Sequence, residues 1–260
     1  YFDAGTAVQY KDHGVFVLGK ILTLLVREPL QEVFQRRIAS PIGMTKWEWG
    51  ISGTVDGIAL NNPPGNPGGS GAGGVKIRPR DLARFGLLML NRGNWNGKQL
   101  LSASFVDEAT SNQVPVTGGY RNRDFRGRYG YYWWVNGLMV DGKRPWPNAP
   151  PKTYLANGAG ANFCVVVPEW NLVLVKMGSP SSVSDRVWDA FFGKLAGSVS
   201  SRGDSQAGRA GNGPREEAAR VTPPDKNPLY FPPPGEAITN QSRKRPDEVG
   251  MSPAVVEQIN

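Results

Sequence analysis

The order of hydrophobic patterns in this sequence predicts an α+β fold in which helices flank an antiparallel sheet. Apolar helical stretches come first, strand-like runs with a hairpin signal follow, and an amphipathic helix closes the globular part. Such segregation gives stacked layers of helix and sheet, unlike the alternation of βαβ units.

The elements follow in order. Residues 14–27 (GVFVLGKILTLLVR) are apolar almost all round, the pattern of a buried helix. Glu28-Pro29 breaks the run, and Pro29 suits the first turn of a second helix carrying Leu30, Val33, Phe34 and Arg37. Ser40–Met44 reads as a turn, and residues 52–74 as a long polar Gly/Pro-rich loop. Leu82, Phe85 and Met89 mark an amphipathic helix from Arg80 to Leu90, stopped by Arg92-Gly93-Asn94. Ser102 is placed to cap a helix carrying Phe105, Val106 and Ala109. The chain then turns to strand. Tyr131–Val135 is aromatic and β-prone. Phe163–Val167 and Leu172–Lys176 flank the four-residue connection Pro168–Asn171. From Ser182 a last helix carries Val187, Trp188, Phe191, Phe192 and Leu195 on one face.

Composition removes several function classes. Of 260 residues one is His and one is Cys. A disulfide framework, a multi-cysteine zinc site and an HExxH site are therefore excluded. A Ser-His-Asp triad would need His13, which lies beside Asp12 and reads better as a polar helix-start residue. The longest apolar stretch, Val15–Val26, is interrupted by Lys20 and too short to span a bilayer. No signal-peptide pattern is read in the first residues, and any native leader would precede Tyr1.

The net charge of +8 is uneven. Residues 198–260 carry 8 basic and 8 acidic side chains, so the excess lies in 1–197. The stretch 198–235 is rich in Ser, Gly and Pro and too poor in branched aliphatics to offset its ordering entropy. The expected organisation is a globular part over 1–197, a linker over 198–244, and the start of a further or same-family domain over 245–260.

Three features invite a chemical reading and mostly decline it. The Gly-rich run 68–74 lacks the Lys-Ser/Thr ending of a phosphate loop, and Ser70 lacks the second glycine of a nucleophile elbow. Arg121, Arg123, Arg126 and Arg128, interleaved with Tyr120, Phe125 and Tyr129, could clamp phosphates, but no nucleic-acid module surrounds them. A solvated loop is the expectation, with no nucleic-acid partner. Cys164 sits inside a β run and is expected in the core, not as a reactive thiol.

Several segments, in order, resemble one family. They are Tyr10-Lys11-Asp12 with the apolar helix after it, Arg37-Ile38-Ala39-Ser40-Pro41-Ile42-Gly43-Met44, and Gly71–Val75 leading to Arg80-Asp81-Leu82-Ala83-Arg84-Phe85-Gly86. Gly93–Leu101, Tyr129–Trp134 and Gly158–Val175 continue the series. Together they resemble the penicillin-recognising serine hydrolases, the class C β-lactamase-like family, over nearly all of 1–197.

The resemblance implies a β-lactamase/transpeptidase-like α/β/α sandwich, incomplete in this chain, and acyl transfer on a small-molecule ester or amide. In that family the Ser of a Ser-x-x-Lys turn attacks the carbonyl, while Lys and Tyr share proton transfer. Tyr10 matches the proton-transfer Tyr, and Asp12 stands where the motif has Asn. The third motif, Lys/His-Thr/Gly-Gly, falls near Gly158-Ala159-Gly160, where there is no Lys or His. That departure argues against a specialised β-lactamase. Backbone N–H groups along Gly158, Ala159, Gly160, Ala161 and Asn162 are expected to bind the oxyanion and substrate. No cofactor and no metal are implied.

None of the 16 Ser residues has Lys three positions later. The nucleophile motif lies upstream of Tyr-x-Asn in the family, so this chain alone is expected to be inactive and its full-length parent to be the enzyme. Residues 245–253 (RPDEVGMSP) resemble the opening of the same domain. That leaves tandem copies, or a window cut from or reordered within one gene. A catalytically inactive binding protein on the same fold is the alternative. One buried Cys suits either redox environment, so periplasmic, extracellular and cytoplasmic locations all stay open.

Overall fold

A computed structural model describes residues 6–61, 74–120, 124–158, 160–178 and 183–206. In chain order they form β1 (Ala7–Val8), α1 (Asp12–Val26) and α2 (Leu30–Phe34), the last continued by a π-helical turn, Gln35–Ala39. Then come β2 (Trp47–Trp49), β3 (Ile51–Val55), β4 (Ile58–Asn61), β5 (Val75–Ile77) and α3 (Pro79–Leu90). They are followed by β6 (Asn94–Trp95), β7 (Lys98–Gln99), α4 (Ala103–Ala109), β8 (Gly119–Tyr120) and β9 (Trp134–Val135). The chain closes with β10 (Tyr154–Gly158), β11 (Asn162–Val167), β12 (Leu172–Lys176) and α5 (Asp185–Gln206).

The main sheet is antiparallel, in the order β12-β11-β10-β9. Alternation along its strands sorts side chains onto two covered faces. Leu155, Phe163, Val165 and Val167 pack with Trp134, Leu172 and Leu174 against Trp188 and Phe192 of α5. Tyr154, Cys164, Val166, Trp133 and Val135 pack with Val173 and Val175 against Leu82, Phe85 and Met89 of α3 and Val106 of α4. This is the expected α/β/α layering. Because both faces are buried, β11 reads as an unbroken apolar run instead of an alternating one.

The middle layer is tight. A Cβ on Gly86 would lie 2.6 Å from Val173 Cγ1 and 2.8 Å from Cys164 Sγ, so only glycine lets α3 approach β11 and β12 this closely. The buried carboxylate of Asp81, in the first turn of α3, accepts from Lys46 N at 2.9 Å and joins that helix to the start of β2. Buried Asn136 donates to Trp146 O at 2.9 Å and accepts from Trp146 N at 3.0 Å, fixing the loop before β10.

Several expectations are met. Ser102 Oγ accepts from Phe105 N at 3.2 Å and caps α4. The connection Pro168–Asn171 is a short 3₁₀ turn ending at Asn171 in the left-handed region. Cys164 is 1% exposed.

Others are corrected. The stretch read as a loop from 52 contains the β3–β4 hairpin, turned by Asp56-Gly57, both at positive φ; residues 62–73, with Ser70, lie outside the described set. Only Trp134–Val135 of the expected 131–135 strand pairs in the main sheet. Of the described side chains of α1, only Thr23 and Leu24 are buried, and Leu18, Leu22 and Leu25 face solvent. Helix α5 runs on to Gln206, nine residues past the expected linker boundary.

Candidate active site

Tyr10 lies just before α1, whose N-cap position is the extended Lys11. Strand β1 precedes it and pairs in parallel with β8, so the segment that carries Tyr10 is laid beside residues 119–120. The Tyr10 ring is 43% exposed and rests on three aromatic neighbours. It stacks on Trp134 at 6.3 Å with 20° between the planes, and meets Phe125 and Tyr129 edge-on at 6.1 and 6.3 Å. Trp134 meets both of those rings at 4.8 Å.

The loop that presents these aromatics is held by two arginines. Arg126 donates to Asp124 from Nε at 2.9 Å and to Gly118 O at 3.0 Å, and covers the Tyr120 ring. Its guanidinium holds the Asp124 carboxyl below the usual carboxylate range. Arg128 donates to both oxygens of Asp185 at 3.0 and 2.9 Å and lies 5.7 Å from the Trp134 ring centre. Trp146 Nε1 donates to the same carboxylate at 3.0 Å. Arg128 Nε is buried without a partner, which costs about 1–3 kcal/mol for such a group. Arg121 and Arg123 lie outside the described residues, so two of the four clustered arginines are seen and both are spent on structure.

The segment 158–162 is the turn between β10 and β11, closed by the pair Gly158 and Asn162. Gly160 and Ala161 both have positive φ, +74° and +56°. Ala159 lies outside the described residues. Asn162 Oδ1 accepts from Gly178 N at 2.9 Å.

Strand register puts the two groups at one end of the sheet. Trp134 pairs with Leu155, and β10 then runs three residues, roughly 10 Å, to Gly158. The hairpin tip 130–133 projects at that same end, because β9 and β10 are antiparallel. Tyr132, on the tip, has φ +61°, a costly conformation for an aromatic residue. Asp12 is the first residue of α1, and its side chain is outside the described set. His13 is exposed in the first helical turn against Phe16, in keeping with a helix-start role.

Lys176 is the residue that the sequence reading missed. Residues 158–160 indeed carry no cation, yet the Lys176 ammonium reaches the turn from β12, donating to Ala161 O at 2.9 Å and Gly178 O at 2.8 Å. Hairpin register could have found it. Pairing Val167 with Leu172 across the four-residue connection brings Lys176 opposite Phe163, one residue from Asn162.

Two other groups are inert by environment. Burial pushes the Cys164 thiol up to about 12 and holds the Tyr154 phenol well above its usual range. Among the described residues no cluster could hold a metal ion, and no helix is long and apolar enough to cross a membrane.

A family model described as Beta-lactamase matches residues 2–187, and that span includes both Tyr10 and the 158–162 turn. The chain belongs to the β-lactamase family. Two solved structures share its fold. One is described as "Putative 6-aminohexanoate-dimer hydrolase from Bacillus anthracis"; it is 21% identical, with TM-score 0.55, over 78% of this chain and 46% of that one. The other, a β-lactamase from Mycobacterium bovis, is 20% identical with TM-score 0.52, over 75% and 65% of the two chains. The chain thus spans from about half to two thirds of the length of these β-lactamase-fold structures. No curated protein matches it.

Proposed function

We propose that residues 1–197 supply the C-terminal portion of a serine hydrolase domain that cleaves an ester or amide through an acyl-enzyme. The nucleophile comes from a Ser-x-x-Lys turn in the full-length parent. The observation that carries this reading is the meeting of Tyr10 with Trp134 on the strand next to the one that leads into Gly158–Asn162.

The chemistry follows from those positions. The seryl Oγ attacks the carbonyl carbon while its proton passes to the Tyr10 phenolate, the Lys of the Ser-x-x-Lys turn favouring that ionised form. The carbonyl oxygen takes up the negative charge and is met by backbone N–H groups of the 158–162 turn. On collapse, the C–O or C–N bond breaks and the leaving group takes the proton from Tyr10. Water then repeats the sequence on the acyl-enzyme and frees the serine. The Lys176 ammonium steadies the turn by tying Ala161 O to the segment after β12. Residues 207–244, after the end of α5, act as the linker, and 245–260 open a further same-family domain.

Fluorophosphonate labelling and p-nitrophenyl ester hydrolysis test the proposal. The parent is expected to label stoichiometrically and turn over, and the 260-residue chain to do neither. Stoichiometric labelling of this chain alone would remove the upstream nucleophile from the account. Asp12 in place of Asn favours a second reading, a binding protein that has lost catalysis. A parent without Ser-x-x-Lys and without esterase activity would establish that reading.

A further inference from the structure

We infer that the Lys176 ammonium is an anion-binding point for the substrate, so that the ester or amide cleaved carries a carboxylate a few bonds from its scissile carbonyl. The inference deepens the acyl-transfer reading of the 158–162 turn and rests on it.

An ammonium has three N–H donors set tetrahedrally. Lys176 gives one to Ala161 O at 2.9 Å and one to Gly178 O at 2.8 Å, so its third is directed away from both. The residue is half-buried, and its bond to Gly178 O lies at the surface, within reach of a ligand. Both partners are carbonyl dipoles, which hold the ammonium in place without cancelling its charge. Among the described residues no carboxylate pairs with it. The contrast is with Arg126 and Arg128, each of which is matched to an aspartate. A partly desolvated cation without a counter-ion is costly, and a ligand that brings the opposite charge relieves that cost.

Bracing the turn does not account for the charge. Tying two carbonyls together takes two donors, which the neutral amide of a glutamine also offers. The turn is moreover joined to the segment after β12 by another route, since Asn162 Oδ1 accepts from Gly178 N at 2.9 Å, and it is closed by the pairing of Gly158 with Asn162. A carboxylate suits the site in particular. One compact ammonium with one further N–H matches a singly charged acceptor, whereas a phosphate is better met by a guanidinium fork or several backbone N–H groups. Ala161 O belongs to the turn that receives the carbonyl oxygen on the acyl-transfer reading, which sets the short separation between carboxylate and scissile bond.

The 260-residue chain tests the binding directly. In a sample labelled with ¹³C-lysine, the Lys176 side-chain resonance is assigned by its loss in Lys176→Arg. Glutarate should move that resonance saturably in the millimolar range, and added sodium chloride should weaken the effect. Glutaramide, the neutral analogue, should not move it. In the parent, the measure is the ratio of kcat/KM for mono-p-nitrophenyl glutarate to that for p-nitrophenyl pentanoate. Lys176→Gln, which keeps two donors and loses the charge, should lower that ratio about fivefold, and Lys176→Arg should hold it near the wild-type value.

A Lys176 resonance that glutarate does not move, or moves no more than that of the exposed Lys98, would overturn the inference, as would tighter binding of inorganic phosphate. So would an unchanged ratio in Lys176→Gln, because a residue that only braces the turn lowers both rates together. Should Lys176→Gln fail to fold, the glutarate titration of the wild-type chain decides. A parent that hydrolyses neither ester would defeat the acyl-transfer reading alone, since the titration judges the anion site without turnover.

Discussion

Two of the described regions bury their apolar residues very differently. The sandwich of α3, α4, the main sheet and α5 is covered on both faces of the sheet, with Phe163, Val165, Val166, Val167 and Phe192 all at or below 2% exposure. Among the described residues, the part formed by α1 and the β3–β4 hairpin closes over only three buried apolar residues, Leu24, Val55 and Leu60. On the other side of α1, Leu18, Leu22 and Leu25 recur at helical spacing and are 37%, 37% and 53% exposed. One region holds itself together by what it buries. The other carries apolar surface that it does not use within these residues.

That contrast can be broken or sharpened by substitution. Phe192→Ala should have the largest effect, a loss of about 3–5 kcal/mol, because it empties a site between α5 and the sheet that cannot close. Urea unfolding of the folded chain measures it. Gly86→Val should follow, costing about 1–3 kcal/mol or preventing folding, since its new atoms overlap Val173 and Cys164. The control Gly97→Ala, where a Cβ meets nothing within 4 Å but φ is +84°, reports backbone strain without overlap.

Cys164 gives a smaller, pH-dependent effect. Its thiol stays protonated in the folded state up to about 12, while in the unfolded chain it ionises near 8.5. Stability from this group is therefore complete below about pH 8.5 and is lost as the pH climbs towards 12. Thermal melts between these limits should fall more steeply for wild type than for Cys164→Ala. Equal slopes would count against a buried, protonated thiol.

Leu25→Lys should have the smallest effect, within about 0.5 kcal/mol of wild type, as for other exposed positions. A loss as large as that of Phe192→Ala would mean that the exposed face of α1 is covered in solution and would erase the contrast.

The sandwich was largely legible from the residues because its signals are local. The 163–176 hairpin announces itself by two apolar runs around Pro168–Asn171, and α4 by Ser102 three residues before Phe105. What the sequence hid depends on distance or on context. Asp56-Gly57 is a good hairpin signal, but it lies among so many Gly and Pro residues that the whole stretch reads as loop. The apolar pattern of α1 predicts burial, and pattern alone cannot say whether a partner is present. Tyr10 and the 158–162 turn were legible only through resemblance, since nothing local links positions so far apart. The aromatic bed beneath Tyr10 needs the register of β9 and the fold of the 124–129 loop, neither of which leaves a periodic trace.

The two-residue pairing of Ala7–Val8 with Gly119–Tyr120 has a consequence in time. It joins positions more than a hundred residues apart, so it forms only after a long loop has closed, whereas β11 and β12 meet across four residues. During synthesis, the segment that bears Tyr10 leaves the ribosome before α3, α4 and the 124–134 aromatics that its ring meets. The candidate proton-transfer residue is thus made well before the aromatic bed on which it rests.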